Sequence, residues 1–361
     1  MQPETSATTA WRWHSPAEPP FRIAGFAWFQ QDRVYRRLPI RPHPPVPDAV
    51  DALADCTAGG QAQFRTDSPR LALRVRLAAP ADMVHMPATG QCGFDCYVGS
   101  PGSQRYCATT KYDLRLREYE CELFEFPSAE ERSITLNFPL YQGVEQVLIG
   151  LSPTARVQAP LAYEDERPVV SYGSSITQGG CASRPGMAYT NILSRRLNRP
   201  FINLGFSGNG RGEPEVAENI ARLPRAAGFV LDYEANAGVA DQLERTLPRF
   251  IGILRRAHPA VPILVVSKIR YAREHFLPQD LEGRVRRRDF QRDTVDGLRA
   301  AGDENVHFLD GGDLLGEHFD ECAVDGVHPT DLGFWQMACG LEPVLRQLLE
   351  APSGLSSAGR R

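Results

Sequence analysis

The sequence predicts an antiparallel β-sandwich domain followed by an α/β domain, in which a parallel five-stranded sheet forms a three-layer α/β/α sandwich. Two observations support this prediction. In the second half of the chain, continuous apolar runs alternate with helical stretches, which is typical of a parallel sheet covered on both faces. In the first half, short apolar runs are separated by Pro, Gly, Asp and Ser, and helical patterning is nearly absent.

The α/β domain is predicted over residues 168–350. Its strands are short apolar runs rich in β-branched or aromatic residues, at 169–172, 201–206, 228–232, 263–269 and 306–310. Helices are predicted between and after them, at 187–197, 214–223, 239–258, 284–301 and 332–349. Because parallel strands point the same way, the loops after their carboxyl ends meet at one edge of the sheet, where a site is expected.

The β-sandwich, with a jelly-roll-like arrangement, is predicted over residues 21–157. Residues 71–77 alternate apolar and polar side chains, the period of a strand with one solvated face. Further strands are predicted at 93–98, 133–138 and 145–151, and a helical turn at 48–56. We expect a structural, accessory role for this domain, with binding of a sugar or substrate as the alternative.

The ends of the chain and the segment between the two domains differ in composition from the rest. Residues 1–20 are polar and rich in Ala, Thr, Pro and Glu, so we expect them to be disordered or loosely attached. Residues 351–361 are expected to form a flexible tail. The segment 152–167 holds prolines and charges without a clear period, which indicates the domain boundary.

The overall composition excludes several classes of function. The net charge of −4 over 361 residues gives no electrostatic reason for a nucleic-acid partner. No apolar run approaches the length of a membrane span, so no membrane partner is expected. The amino terminus lacks the basic start and apolar stretch of a signal peptide, and we therefore expect a cytoplasmic protein.

The eight cysteines are expected to be reduced thiols, since the chain is long and shows no export signal. Cys92, Cys96 and Cys107 are close in sequence, which is the beginning of a metal-site pattern. No second close pair accompanies them and no histidine lies between them, which argues against a zinc site formed by these cysteines.

Residues 168–180 place a serine at the carboxyl end of a predicted strand, where α/β proteins commonly have their active sites. A β-branched and aromatic run ends at Gly173, two serines follow, and a helical pattern begins after them. Ser175 therefore follows the carboxyl end of a strand and is a candidate nucleophile. The alternative is that the two serines only cap the helix, which is a common use of serine.

Two later loops bring candidate donors to the same edge. Residues 203–212 contain glycines that let backbone N–H groups approach a ligand. Their spacing lacks G-x-G-x-x-G, which argues against a dinucleotide site, and the absence of Gly-Lys-Ser/Thr excludes a P-loop. Asn236 follows the third strand. An asparagine there is usually a turn former, but its amide is also a suitable donor to a developing oxyanion.

Asp325 and His328 lie three residues apart in the loop before the last helix, with a glycine between them. In a turn, this spacing lets the carboxylate bind one imidazole nitrogen and leaves the other facing outward. A lone histidine is more often structural than catalytic. The pair lies at the edge of the sheet where a site is expected, and it therefore indicates a base oriented by a carboxylate.

These loops, in this order, resemble the four sequence blocks of the SGNH hydrolases, also called GDSL esterases and lipases. The blocks are Gly-Ser-Ser-Ile at 173–176, Asn-Leu-Gly-Phe-Ser-Gly-Asn at 203–209, Glu-Ala-Asn-Ala at 234–237 and Asp-Gly-Val-His at 325–328. Ser174 stands where the family usually has aspartate. The third block keeps only Asn236 of the usual Gly-x-Asn-Asp. The resemblance covers about residues 168–350.

A second motif is similar to one found in a bacterial subgroup of that family. The subgroup carries a β-rich domain before the hydrolase domain, with a Gly-x-Asp-Leu-Tyr-like motif. Residues 93–97 are Gly-Phe-Asp-Cys-Tyr, with cysteine in place of leucine.

The resemblance implies a flavodoxin-like SGNH fold and a serine esterase acting on a small-molecule or carbohydrate ester. It assigns Ser175 as the nucleophile, His328 as the base and Asp325 as the acid that orients the base. It places Ser175, Gly208 and Asn236 in the oxyanion hole. Such a mechanism requires no cofactor and no metal.

Two alternative functions remain open from the sequence, and one alternative fold is disfavoured. The same acyl-enzyme could pass its acyl group to an alcohol of a sugar or natural product, which would make the protein an acyltransferase. The protein could instead be a non-catalytic carbohydrate-binding protein. The α/β-hydrolase fold is disfavoured, because Thr177 occupies the last position of its Gly-x-Ser-x-Gly and because that fold separates acid from histidine widely.

Two basic features are interpreted as surface features. Residues 284–288 (Arg-Val-Arg-Arg-Arg) are expected to form a solvated helix face. Arg184 is expected in a surface ion pair, with binding of a substrate carboxylate as the alternative.

Overall fold

The first half of the chain folds into an antiparallel β-sandwich in the computed structural model, which describes residues 10–238 and 241–350. Its strands are β1 (Arg12–His14), β2 (Arg22–Ala24), β3 (Gln61–Thr66), β4 (Arg70–Leu77), β5 (Asp95–Val98), β6 (Arg105–Thr109), β7 (Glu118–Glu125), β8 (Arg132–Asn137), β9 (Val144–Leu151) and β10 (Val157–Gln158). Three short helices accompany them: α1 (Phe29–Asp32), α2 (Asp48–Leu53) and α3 (Ala88–Gln91).

The ten strands form two sheets that enclose one core. One sheet has the order β1-β9-β4-β7, and the other has the order β10-β3-β8-β5-β6, with β2 also paired to β3. Alternate side chains of both sheets point inward and meet, among them Phe64, Leu73, Leu136 and Ile149. The predicted antiparallel sandwich is confirmed.

The prediction that residues 1–20 are loosely attached is wrong for part of that segment. Arg12–His14 forms β1, which pairs with the end of β9 from Arg12↔Leu151 to His14↔Ile149. Trp11 and Trp13 lie over the guanidinium groups of Arg70 and Arg74, 4.0 and 4.3 Å from the ring centroids. Ring and cation contacts of this kind hold an edge strand whose sequence is polar.

The second half forms the predicted three-layer α/β/α sandwich. Its strands are β11 (Val169–Gly173), β12 (Phe201–Gly205), β13 (Gly228–Asp232), β14 (Ile263–Val266) and β15 (Val306–Leu309). Its helices are α4 (Ser175–Gln178), α5 (Tyr189–Leu197), α6 (Pro214–Ala221), α7 (Gln242–Ala257), α8 (Pro278–Ala300) and α9 (Asp331–Glu350). The sheet has the order β12-β11-β13-β14-β15, and every pair in it is parallel.

Successive residues of β11, an interior strand of the sheet, point into different cores. Val170 and Tyr172 pack with side chains of α6 and α7, whereas Val169 packs with side chains of α5 and α9. Both faces of β11 are therefore covered, which explains why the apolar residues Val169 and Val170 are adjacent rather than alternating with polar ones.

In the α/β half, three elements have a boundary that lies three or more residues from the predicted one. The strand predicted at 263–269 ends at Val266, because the backbone N–H of Lys268 turns away to donate to the Glu234 carboxylate, 2.7 Å distant. The helix predicted at 284–301 is α8, which begins six residues earlier at a proline suited to the first turn. The helix predicted from residue 239 is α7, which begins at Gln242; residue 239 itself lies outside the described residues.

The two halves share buried contacts. Leu38, Val46, Val50 and Ala54 come from the first half and pack into the core formed by α6, α7 and the parallel sheet. Arg37 is fully buried beside them and donates hydrogen bonds to the carbonyls of Gly205 and Leu53. The end of β12 is therefore held in place by a residue of the β-rich half. None of the helices among the described residues is both long and apolar enough to cross a bilayer.

Candidate active site

The two serines between β11 and the first turn of α4 make different contacts. The Ser174 side chain accepts a hydrogen bond from the Ile176 N–H (3.3 Å), so Ser174 is the N-cap of α4. Ser175 is the first residue of the helix, and its hydroxyl points instead to His328. The helix-capping interpretation therefore holds for Ser174 and not for Ser175.

Ser175, His328 and Asp325 form a continuous chain of hydrogen bonds. The Oγ of Ser175 lies 2.9 Å from the Nε2 of His328. The Nδ1 of His328 lies 2.7 Å from the Oδ2 of Asp325. The structure thus brings together the three residues that the sequence singled out, in the order hydroxyl, imidazole, carboxylate.

The turn that carries Asp325 orients its carboxylate. Asp325 Oδ1 accepts the backbone N–H groups of Val327 (3.0 Å) and His328 (2.7 Å). Gly326 has φ +81°, in the left-handed region that favours glycine. Burial raises the pKa of Asp325, but the hydrogen bonds from His328 and Val327 outweigh it, and the net result is a lowered pKa. Asp325 is therefore a carboxylate at neutral pH.

The glycine-rich loop after β12 packs against the Ser175 loop. The Phe206 N–H donates to the Gly173 carbonyl (2.9 Å), and a Cβ at Gly210 would meet that carbonyl oxygen at 1.9 Å. Gly208 has φ +67° and open space where a side chain would be. Within residues 10–238 and 241–350, the N–H groups of Ser175 and Gly208 donate to no protein acceptor.

Asn236 ends a short 3₁₀ turn, Glu234–Asn236, after β13. Its Nδ2 lies 3.3 Å from the carbonyl oxygen of Phe206, which precedes Ser207 and Gly208. One N–H of the amide is used in this bond, and the other remains for a ligand. All the residues predicted for the site therefore belong to loops at the carboxyl edge of the sheet.

The β-rich half contributes three neighbours of the site that the sequence analysis missed. The Tyr141 hydroxyl donates to the carbonyl of Ser175 (2.9 Å). The His85 ring lies 5.7 Å from the His328 ring, centroid to centroid. Arg37, described above, holds the start of the glycine-rich loop. No local signal identifies these residues, because a tyrosine, a histidine or an arginine in a β-rich segment has many ordinary roles.

Asp95, in the Gly-Phe-Asp-Cys-Tyr motif, connects the β-sandwich to the loop that follows α4. It is fully buried and accepts hydrogen bonds from the Gly186 N–H (2.8 Å), the Asn137 amide (2.7 Å) and Arg184 Nη1 (2.9 Å). Arg184 also donates to the Tyr97 hydroxyl (2.6 Å). The expected ion pair of Arg184 exists, but it lies between the two halves of the molecule rather than on the open surface.

The interpretation of residues 284–288 as a solvated helix face is wrong for Arg284 and Arg287. Arg284 is buried, with its Nε 2.8 Å from the Glu274 carboxylate. The Nε of Arg287 lies 3.0 Å from the buried Glu234 carboxylate. The sequence shows the cationic run but not its anionic partners, which come from other loops.

These paired charges border a cavity of about 320 Å³ beside Asn236. The Ala272 N–H donates to the carbonyl of Gly326 (3.0 Å), so one wall of the cavity contacts the turn that carries Asp325 and His328. The lining is mainly polar or charged and includes Glu234, Asn236, Lys268, Tyr271, Arg273 and Arg287.

Comparison with protein families matches residues 166–346 to the GDSL-like lipase/acylhydrolase family. Residues 11–157 match the family described as the N-terminus of esterases of the SGNH hydrolase type. None of the curated proteins compared with the chain matches it.

Solved structures share the fold over nearly the whole chain. A protein described as a GDSL-like lipase from Bacteroides ovatus is 30% identical, with a TM-score of 0.86 over 94% of this chain and 98% of its own. The salicylyl-acyltransferase SsfX3 of a tetracycline biosynthetic pathway is 23% identical, with a TM-score of 0.75 over 95% and 99%. A family two carbohydrate esterase from Cellvibrio japonicus is 16% identical, with a TM-score of 0.58 over 94% and 98%.

Proposed function

The chain belongs to the GDSL-like lipase/acylhydrolase family, and on that premise we propose that it is a serine esterase that cleaves carboxylic esters through an acyl-enzyme on Ser175. The observation that carries this proposal is the hydrogen-bonded chain Ser175–His328–Asp325. A serine hydroxyl is a weak nucleophile at neutral pH and needs an adjacent base, which the Nε2 of His328 supplies.

In the proposed reaction, His328 takes the hydroxyl proton as Ser175 Oγ attacks the ester carbonyl. Asp325 holds the imidazole in the tautomer that has its proton on Nδ1, and it stabilises the cation that forms. His328 then gives the proton to the departing alcohol. Water, activated by His328 in the same way, then attacks the acyl-enzyme, which releases the carboxylic acid and restores the Ser175 hydroxyl.

In this proposal, three hydrogen-bond donors stabilise the negative charge of the tetrahedral intermediate. They are the backbone N–H groups of Ser175 and Gly208 and the side-chain amide of Asn236. Their support is that the two backbone N–H groups donate to no acceptor in the part of the chain that the structure describes, and that Asn236 borders the same loop. A donor of this kind stabilises the transition state by about 3 kcal/mol.

The cavity beside Asn236 favours a polar substrate. Lys268, Arg273 and Arg287 contribute cationic groups to its lining, and Glu234 contributes a carboxylate. A long aliphatic chain would desolvate these charges without replacing their hydrogen bonds. We therefore propose a substrate with a short acyl group and a polar alcohol portion, such as an acylated sugar or a hydroxylated small molecule.

A panel of esters tests this function. It contains p-nitrophenyl esters of increasing acyl length and acetylated sugars, and the products are identified by mass spectrometry with and without an added alcohol. Short, polar esters should react fastest and should release the free acid. If the added alcohol is acylated in preference to water, the protein is an acyltransferase and the hydrolase proposal is wrong.

A fluorophosphonate probe tests the nucleophile independently of the substrate. It should label Ser175 of the wild-type protein and should not label Ser175→Ala. A folded wild-type protein that resists labelling would contradict the catalytic proposal and would favour a non-catalytic carbohydrate-binding protein.

A further inference from the structure

His85, Cys181 and His328 form a cluster of potential metal ligands. One ligand atom from each, an imidazole nitrogen or the thiol sulfur, lies within 4.8 Å of the corresponding atoms of the other two. His85 comes from the loop between β4 and α3, Cys181 follows α4, and His328 belongs to the turn before α9. The β-rich half and the α/β half therefore both contribute to the cluster.

These three ligands suit zinc. Imidazole nitrogen and thiolate sulfur are the usual zinc ligands, whereas Mg²⁺ and Ca²⁺ require oxygen. Tetrahedral zinc with bonds of about 2.1 Å to nitrogen and 2.3 Å to sulfur separates its ligand atoms by about 3.5 Å. Ligand atoms that lie within 4.8 Å of one another reach that separation after side-chain movements of about 1 Å.

His328 is already oriented as a zinc ligand. Its Nδ1 lies 2.7 Å from the Asp325 carboxylate, which places the ring proton there and leaves the lone pair of Nε2 directed away from that carboxylate. A carboxylate bonded to the distal ring nitrogen is the usual outer partner of a metal-bound histidine. The arrangement that orients a base for Ser175 therefore also prepares a metal ligand.

The Cys181 thiol packs in the apolar core of the α/β half and has no hydrogen-bond partner among the residues that the structure describes. It is buried, with 4% of its surface exposed, and it forms no disulfide. Its backbone N–H donates to the Pro329 carbonyl (3.2 Å), so the thiol is carried by backbone tied to the residue after His328. The position of Cys181 relative to His328 is thus fixed by the fold rather than by a flexible loop.

We propose that His85, Cys181 and His328 bind zinc, with water as the fourth ligand, and that this zinc reversibly inhibits the enzyme. On binding, the thiol loses its proton to solvent and the Nε2 lone pair of His328 is donated to the metal. That lone pair can then no longer accept the proton of Ser175. The inhibition rests on the proposed role of His328 as the base, whereas the metal binding does not.

Cobalt(II) provides a direct readout of binding, since it substitutes for zinc and gives a thiolate-to-metal charge-transfer absorption. Wild-type protein, titrated with Co²⁺ in a non-thiol reductant, should show this absorption at one equivalent. Cys181→Ser should lack it, and His85→Ala should need at least tenfold more metal. The matched controls are Cys339→Ser and His318→Ala, which change an exposed cysteine and an exposed histidine and should titrate like the wild type.

Zinc inhibition of p-nitrophenyl ester hydrolysis provides the second readout. Zinc should inhibit the wild-type protein, EDTA should reverse the effect, and Mg²⁺ should have none. Cys181→Ser and His85→Ala should keep their activity without metal and should need at least tenfold more zinc for half inhibition.

The two readouts separate failure of the metal site from failure of the proposed function. If Ser175 is not the nucleophile, the Co²⁺ absorption still appears, and it appears in Ser175→Ala as well. Absence of the thiolate absorption in the wild type, or its persistence unchanged in Cys181→Ser, would overturn the site. Binding that requires Cys181 but leaves an active enzyme uninhibited would overturn the regulatory proposal.

Discussion

The hydroxyl of Ser175 lies 2.9 Å from the Nε2 of His328, although 153 positions separate the two residues in the chain. Five parallel strands bring them together, because Ser175 follows the carboxyl end of β11 and His328 lies in a turn beyond β15. The Cys181 N–H, bonded to the Pro329 carbonyl, ties the two loops to each other near this contact. The geometry therefore depends on the sheet and on one backbone bond beside the site.

The first prediction concerns the nucleophile and its base. Ser175→Ala and His328→Ala should each abolish turnover of a short p-nitrophenyl ester, with a loss of about 10⁶-fold as in other enzymes of this mechanism. Circular dichroism and thermal unfolding should show that the fold is kept. Full activity in a folded Ser175→Ala protein would rule out the assignment.

The second prediction concerns Asn236. Asn236→Ala should lower kcat about a hundredfold with little change in KM, because a donor to the oxyanion acts in the transition state. Asn236→Asp keeps the shape but removes the N–H donors and adds a negative charge, so its loss should be at least as large. Near-normal turnover in Asn236→Asp would mean that Asn236 has no role as a donor.

The third prediction concerns Asp232, which lies beneath the Ser175 loop. Its Oδ2 accepts hydrogen bonds from Thr177 (3.1 Å) and Tyr189 (3.0 Å). Burial raises the pKa of Asp232 to about 7 despite these bonds, and the nearby Glu234 adds to the rise. The folded protein therefore holds a proton on Asp232 at pH values where the unfolded chain has already lost it.

The sign of the resulting pH dependence follows from proton binding. Between the ordinary carboxyl pKa of 3.8 and about 7, the folded state binds more protons than the unfolded state, so this contribution to stability falls as pH rises. Asp232→Asn removes the effect. The free energy of unfolding of Asp232→Asn minus that of the wild type should therefore be larger at about pH 8 than at about pH 5, by about 2–3 kcal/mol. Parallel pH profiles in urea denaturation would contradict this.

The fourth prediction concerns the ion pair that joins the two halves. Arg184→Ala leaves the fully buried Asp95 carboxylate without its cation, so it should lower the free energy of unfolding by about 3 kcal/mol. The matched control is Arg117→Ala, which breaks an exposed pair with Glu145 and should cost less than about 1 kcal/mol. Equal losses in the two variants, measured by urea denaturation, would show that the Arg184–Asp95 pair has no special importance.

Features carried by a short stretch of chain could be predicted from the sequence. A strand can be recognised by apolar residues at every second position or by a continuous apolar run. A turn can be recognised by its glycine. Asp325 and His328 are only three residues apart, so one turn suffices to pair them, and the sequence predicted that pairing. Ser175 was predictable for a similar reason, since the end of a strand and the start of a helix are both local signals.

Features that depend on a distant partner could not be predicted. The arginines of residues 284–288 have the composition of a solvated face, but Glu274 and Glu234 pair with two of them inside the protein. His85 and Tyr141 lie in the β-rich half, and nothing near them in sequence indicates a neighbouring site. Whether a charge is buried depends on the groups that the fold places around it.

The sequence alone therefore predicted the two kinds of sheet, the order of the elements in the α/β half and the loops that hold the candidate site residues, because each follows from signals local to the chain. Only the tertiary structure decided that Ser174 caps the helix while Ser175 meets His328, that Asp95 joins the halves, and that His85 and Cys181 lie beside the site. Those relationships are distances between segments remote in sequence, and they are set by the packing of both domains on a shared boundary.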